Sequence, residues 1–122
     1  MAKYIGLMSG TSMDGVDAVL CDITHTSCNT LAAHSIPYPT ELLSALNVLC
    51  SEGPDELNTF SIADRLVAEV FAQVTLELLE KSSLTASDIT AIGSHGQTVR
   101  HHPNSDVLSA QFSNSYPIDS AI

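Results

Sequence analysis

Short apolar runs bounded by small and polar residues mark the first third of the chain. They predict strands at residues 3–8 and 15–23 and a third strand within 29–38, where prolines then end the sheet. Residues 9–14, between the first two strands, are small or polar and predict a tight hairpin. We therefore expect the chain to begin as a strand meander.

From residue 40 the apolar residues recur every three or four positions, the spacing of a helix with one buried face. The pattern predicts a helical region over 40–82: a first helix with Thr40 as its N-cap and a longer second helix with Asp55 as its N-cap. We expect the apolar stripe of the second helix to pack on the sheet. It comprises Leu57, Phe60, Ala63, Val67, Val70, Phe71, Val74 and Leu78.

The last third contains a short apolar strand at 89–93, a polar turn over 94–103 and a candidate strand around 107–112. The order of strand, strand, strand, helix, helix, strand is typical of an α/β fold. We therefore predict a mixed sheet with helices packed against it.

Composition indicates a globular chain. Its 122 residues are 44% hydrophobic and 15% charged. No apolar run reaches the roughly 20 residues of a membrane helix, and the first ten residues lack the apolar core of a signal peptide. A cytoplasmic protein is the expectation.

The charge is strongly acidic, with 14 acidic residues against four Lys and Arg and a formal net charge of −10. So few cations argue against nucleic acid and anionic membrane surfaces as partners. A phosphate group would have to be held by backbone N–H groups and a divalent cation.

The segment "GTSMDGVD", residues 10–17, has the small residues of a phosphate-binding loop but not its lysine. Val16 and Asp17 stand where a Walker A loop needs Lys and Ser or Thr. A Rossmann loop or a nucleophile elbow would require a helix next, and a strand is predicted instead. Ser12 leaves a serine hydrolase as a remote alternative.

Two interpretations of this segment remain from the residues alone. It can be a plain polar turn, for which Asp-Gly is a standard signal. It can also surround phosphate oxygens, with Gly10 allowing close approach, hydroxyls donating hydrogen bonds, and Asp14 or Asp17 holding Mg²⁺.

As literal sequence, "GLMSGTSMDGVD" at 6–17 resembles the opening signature of the anhydro-N-acetylmuramic acid kinases, and "IGSHGQTVRHHP" at 92–103 resembles their next signature block. The resemblance implies an incomplete, ribonuclease-H-like N-terminal lobe of the actin and hexokinase type, with ATP and Mg²⁺ as cofactors. Members of this family open 1,6-anhydro-N-acetylmuramic acid with water and phosphorylate it at O6. This yields N-acetylmuramic acid 6-phosphate in cytoplasmic peptidoglycan recycling.

The resemblance also implies site residues. The ATP phosphate-binding hairpin lies within 5–23, and Asp14 is favoured over Asp17 as the metal ligand. The strand and turn over 89–103 would meet the amino-sugar substrate through His95, Gln97 and Arg100, although His95 could equally be a satisfied turn residue. The implied cofactor-binding residues are Gly10, Thr11, Ser12, Met13, Asp14, Gly15, Val16 and Asp17.

The family's catalytic base is an aspartate in an "ADFR" segment, which the resemblance places beyond Ile122 together with the second lobe. Asp119 is not assigned that role. The chain is thus expected to be the N-terminal part of a kinase and inactive alone. A kinase or ATPase of the same superfamily with another substrate, and a non-catalytic interaction module derived from a half-kinase, stay as alternatives, and a homodimer is left open.

Overall fold

A computed structural model describes residues 2–10, 12–102 and 118–121, with side chains described as far as residue 101. Within these residues, strands form a five-stranded sheet in the order β3-β2-β1-β4-β5. A 3₁₀ turn at Ala86–Asp88 leads into β4. The elements are β1 Ala2–Ser9, β2 Gly15–Ile23, β3 Cys28–Pro37, α1 Thr40–Leu49, α2 Glu56–Lys81, β4 Ala91–His102 and β5 Ile118–Ala121.

The sheet is mixed, as the order of elements predicted. β1, β2 and β3 form an antiparallel meander, β4 runs parallel to β1, and β5 runs antiparallel to β4. The three predicted strands of the meander are confirmed. The candidate strand around 107–112 lies outside the described residues.

The helices cover one face of the sheet. Ile5 and Leu7 of β1 and alternate residues of β2 are buried, while the residues between them are exposed or partly buried. The stripe predicted for α2 supplies the other side of this core, with one exception. Leu57, in the first helical turn of α2, is 79% exposed and borders a surface groove together with Phe60 and Arg100.

The helix starts are partly as predicted. Asp55 is the N-cap of α2, although its carboxylate accepts a hydrogen bond from the Asn58 side chain at 2.6 Å and none from a backbone amide. Thr40 as an N-cap is wrong. The N-cap of α1 is Pro39, whose extended backbone leads directly into Thr40 as the first helical residue.

The prediction of a polar turn over 94–103 is wrong for residues 94–102, because these residues continue strand β4. β4 pairs with β1 on one side and with β5 on the other, so backbone hydrogen bonds hold it where its sequence offers few apolar side chains. Among the described residues, no helix is long and apolar enough to cross a membrane.

Candidate functional site

Residues 10–14 join β1 to β2 and are called the first turn. The turn borders a cleft of about 340 Å³. Six of the eight predicted cofactor-binding residues line this cleft together with residues 35–37 of β3. The six are Gly10, Ser12, Asp14, Gly15, Val16 and Asp17. Thr11 lies outside the described residues.

Met13 gives the first turn its shape from the inside. Its amide donates to the Gly10 carbonyl oxygen at 3.1 Å, and its backbone is left-handed at φ 58°. That conformation costs a non-glycine residue about 1–2 kcal/mol, whereas burying a Met side chain contributes about 1.5–3 kcal/mol. Because the side chain is 5% exposed in the core, the burial offsets the cost and the Met13 side chain does not face the cleft.

The glycines at the two ends of the turn differ. A Cβ on Gly15 would lie 2.2 Å from the Ile36 carbonyl oxygen, so only glycine lets β3 approach closely enough to form the cleft wall. A Cβ on Gly10 would meet nothing nearer than the Ser12 hydroxyl, at 3.8 Å. The space above Gly10 is therefore open to a ligand.

Two carboxylates line the cleft and differ in their hydrogen bonds. Asp17 accepts a hydrogen bond from the Ser35 hydroxyl at 2.5 Å. The exposed Asp14 carboxylate makes no hydrogen bond or ion pair within the part of the chain that the structure describes. Asp14 is therefore the carboxylate that is free to bind a cation, while Asp17 is already oriented by β3.

The donor set fits Mg²⁺ bound together with phosphate. Mg²⁺ keeps several waters and uses one or two carboxylates plus substrate phosphates, and the cleft offers Asp14 and Asp17. The described residues contain no cluster of three or more His, Cys, Asp or Glu that could hold a metal without a phosphate ligand. No described residue lining the cleft is cationic, so a phosphate group bound there would depend on backbone N–H groups, hydroxyls and a metal ion.

The three residues predicted to meet the substrate have three different surroundings. Gln97 is fully buried behind the first turn, where its amide donates to the Gly10 carbonyl oxygen at 3.1 Å. His95 is exposed and lines an apolar groove of about 670 Å³ between β4 and α2, with Phe71 and Ile92.

Arg100 lies further along β4, against the end of α1. Its Nε donates to the Leu49 carbonyl oxygen at 3.0 Å and its Nη2 to the Ser51 carbonyl oxygen at 2.9 Å, and Nη2 forms an ion pair with Glu56. Cations are favourable at helix C-termini. Arg100 thus ties β4 to the connection between the two helices, and a contact with substrate stays a prediction.

Sequence reasoning missed Ser9, Ser35 and Tyr38, which surround the first turn. Ser9 follows Ile5 and Leu7 at every second position, so the strand period could have placed it on the buried face. Ser35 follows from the same period once β3 pairs with β2. Tyr38 stands between two prolines and carries no local signal.

The strand order, the antiparallel meander and the helices on one face define a partial α/β domain: the N-terminal lobe of the actin and hexokinase type. The family model described as anhydro-N-acetylmuramic acid kinase matches residues 2–119. The chain belongs to the anhydro-N-acetylmuramic acid kinase family.

Curated relatives agree with this assignment. The chain is 55% identical over 101 residues to an anhydro-N-acetylmuramic acid kinase of Shewanella loihica, covering 83% of this chain and 27% of the relative. It is 51% identical over 106 residues to that of Shewanella baltica, covering 87% of this chain and 29% of the relative. The chain thus spans less than a third of the length of these relatives.

Proposed function

We propose that this chain is the phosphate-binding part of an ATP-dependent kinase that opens 1,6-anhydro-N-acetylmuramic acid with water and phosphorylates it at O6. The observation that carries the proposal is the cleft at the first turn, where six residues of the family signature meet around open space without a cationic side chain. The reaction would serve peptidoglycan recycling in the bacterial cytoplasm.

The residues of the cleft have separate tasks in this proposal. Gly10 leaves room for phosphate oxygens near the backbone, and the exposed Ser12 hydroxyl donates a hydrogen bond to them. Asp14 would hold Mg²⁺, and Asp17, oriented by Ser35, would support the hydrated ion from beside it. Mg²⁺, when bound, neutralises charge on the phosphate oxygens.

The chemistry itself needs little from this chain beyond positioning. Water adds to the anomeric carbon, O6 leaves that carbon and takes the γ-phosphoryl group, and ADP departs. Such transfers depend on alignment and electrostatic stabilisation. We assign the base that activates the water to none of the residues of this cleft. Among the predicted substrate residues, His95 has the exposed side chain, and we propose it as a contact for the sugar.

The test is a chimera of the Shewanella loihica relative in which the matching 101 residues are replaced by those of this chain. We expect ADP release with 1,6-anhydro-N-acetylmuramic acid and Mg-ATP, and none from the 122-residue chain alone. A folded chimera that releases no ADP would refute the proposal. ADP release with another sugar alone would favour a kinase with a different substrate.

The variant Gly10→Ala locates the ATP phosphates. Because the added methyl group has open space, the fold should persist, but the methyl group would displace phosphate oxygens and lower kcat/KM at least about tenfold. Gly53→Ala is the control, since nothing lies within 4 Å of its added Cβ. Equal kcat/KM for the Gly10→Ala and Gly53→Ala chimeras would place the triphosphate elsewhere.

A further inference from the structure

Three polar side chains lie buried behind the first turn, and none of them lines the cleft. Ser9, Tyr38 and Gln97 are 2%, 6% and 0% exposed. Burying polar groups is unfavourable unless they are hydrogen-bonded. Their partners therefore show what this cluster holds in place.

The Gln97 amide is fully engaged. Its Nε2 donates to the carbonyl oxygens of Gly10 at 3.1 Å and Thr98 at 2.9 Å. Its Oε1 accepts from the Tyr38 hydroxyl at 3.1 Å and from the Ser9 hydroxyl. Backbone carbonyl oxygens can only accept, so they fix which end of the amide faces the turn.

Ser9 extends this cluster to the far end of the first turn. Its hydroxyl lies 2.8 Å from the Gly15 carbonyl oxygen, and its single hydrogen is shared between that oxygen and Gln97 Oε1. Gln97 thus binds the beginning of the turn directly, at Gly10, and its end through Ser9, at Gly15.

A bulge in β4 puts Gln97 in this position. Leu7 pairs with Ser94, but Ser9 pairs with Gln97, so β4 carries one extra residue there. Gly96 accommodates it in the left-handed region at φ 74°. Without the extra residue Ser9 would face Gly96, and Gln97 would point to the opposite side of the sheet.

We infer that Gln97 is a positioning residue that joins the two ends of the first turn and so shapes the turn's backbone before a nucleotide binds. Preorganised donors cost no reorganisation when the ligand arrives. The pKa of the Tyr38 phenol is raised by burial, so at neutral pH Tyr38 remains a donor to Gln97. The ligand in this inference rests on the proposed function, whereas the shape of the turn can be measured without one.

Two variants test the inference in the 122-residue chain. Gln97→Met keeps the length of the side chain and removes its hydrogen bonds, and Tyr38→Phe is a milder change that removes one donor. The control is Thr75→Val, since the buried Thr75 hydroxyl donates to the Phe71 carbonyl oxygen at 2.8 Å inside α2. Hydrogen exchange is measured without nucleotide at residues 12–15 and along α2.

In Gln97→Met, exchange at residues 12–15 should rise at least about tenfold relative to α2, the equivalent of one lost hydrogen bond of about 1.4 kcal/mol. A smaller selective rise is expected in Tyr38→Phe and none in Thr75→Val. If Gln97→Met does not fold, Tyr38→Phe decides. Equal exchange at residues 12–15 relative to α2 in every folded variant would overturn the inference.

A kinetic measurement in the chimera separates positioning from mere stability. Loss of positioning should raise the KM for ATP at least about tenfold and leave the KM for the sugar unchanged. A purely structural role would lower the amount of active enzyme and leave both KM values as they were, which would refute the inference. If the turn loosens in Gln97→Met while the folded chimera releases no ADP, the proposed function is refuted and the role of Gln97 is supported.

Discussion

The two turns of the strand meander are built in opposite ways. The second turn, residues 24–27 between β2 and β3, is held by its own hydrogen bonds: the Ser27 amide donates to the Thr24 hydroxyl at 3.1 Å, and the two side-chain hydroxyls lie 2.7 Å apart. All of these groups are exposed. The first turn depends on residues far along the chain, above all Gln97.

The difference is the one expected between a plain connection and the proposed binding loop. A turn that shapes itself needs nothing from the core, and its hydrophilic residues can face water freely. The first turn instead has a buried Met13, a polar cluster beneath it and an open cleft above it. Long-range support is what a rigid loop requires if its outer surface must stay free for a ligand.

The largest effect is expected where the first turn meets β3. In Gly15→Ala the new methyl group would lie 2.2 Å from the Ile36 carbonyl oxygen, so β2 and β3 would have to separate. We expect the free energy of unfolding to fall by about 3 kcal/mol, the upper range for overpacking. Urea denaturation measures it, with Gly53→Ala as the control. Equal urea midpoints for Gly15→Ala and Gly53→Ala would show that β3 shifts to accommodate the methyl group with little loss of stability.

A matched pair of serine variants compares the two turns directly. Ser9→Ala removes a buried hydroxyl and should cost about 1–2 kcal/mol, because the Gly15 carbonyl oxygen loses its contact with that donor. Ser27→Ala removes an exposed hydroxyl and should cost less than about 0.5 kcal/mol. The measurement is again urea denaturation. Similar costs for both would contradict the distinction between a self-supporting turn and a core-supported one.

Local patterns predicted most of the fold. Short apolar runs located the meander, and the three-and-four spacing located α2 to within one residue of its end. The signature at residues 6–17 also pointed to the cleft, and six of its residues line it. These features depend on neighbours in sequence, which a single chain displays.

The remaining features depend on contacts between distant residues. The polar residues of β4 have the composition of a turn. They form a strand because β4 pairs with β1 on one side and β5 on the other, and the sequence does not show this pairing. The burial of Gln97 depends on one extra residue in β4, and the contact of Arg100 with a backbone carbonyl oxygen depends on the end of α1. Neither the bulge nor the end of a distant helix has a signal near the residue concerned.

The smallest effect is a pH dependence of the polar cluster under the first turn. Burial raises the pKa of the Tyr38 phenol above its ordinary value of 10.0, and a hydrogen bond with Ser9 opposes this more weakly. Below pH 10 the phenol is neutral in both folded and unfolded chains. As the pH rises past 10 the unfolded chain ionises first, so stability is lost until the folded pKa is passed.

Tyr38→Phe should remove that alkaline loss, whereas Tyr4→Phe, which changes a tyrosine of β1 outside the cluster, should leave it in place. Urea midpoints between pH 8 and 11 provide the comparison. An alkaline loss of the same size in wild type and Tyr38→Phe would show that the phenol ionises without disturbing Gln97. In that case Tyr38 contributes packing, and the support of the first turn would rest on Ser9 and Gln97 alone.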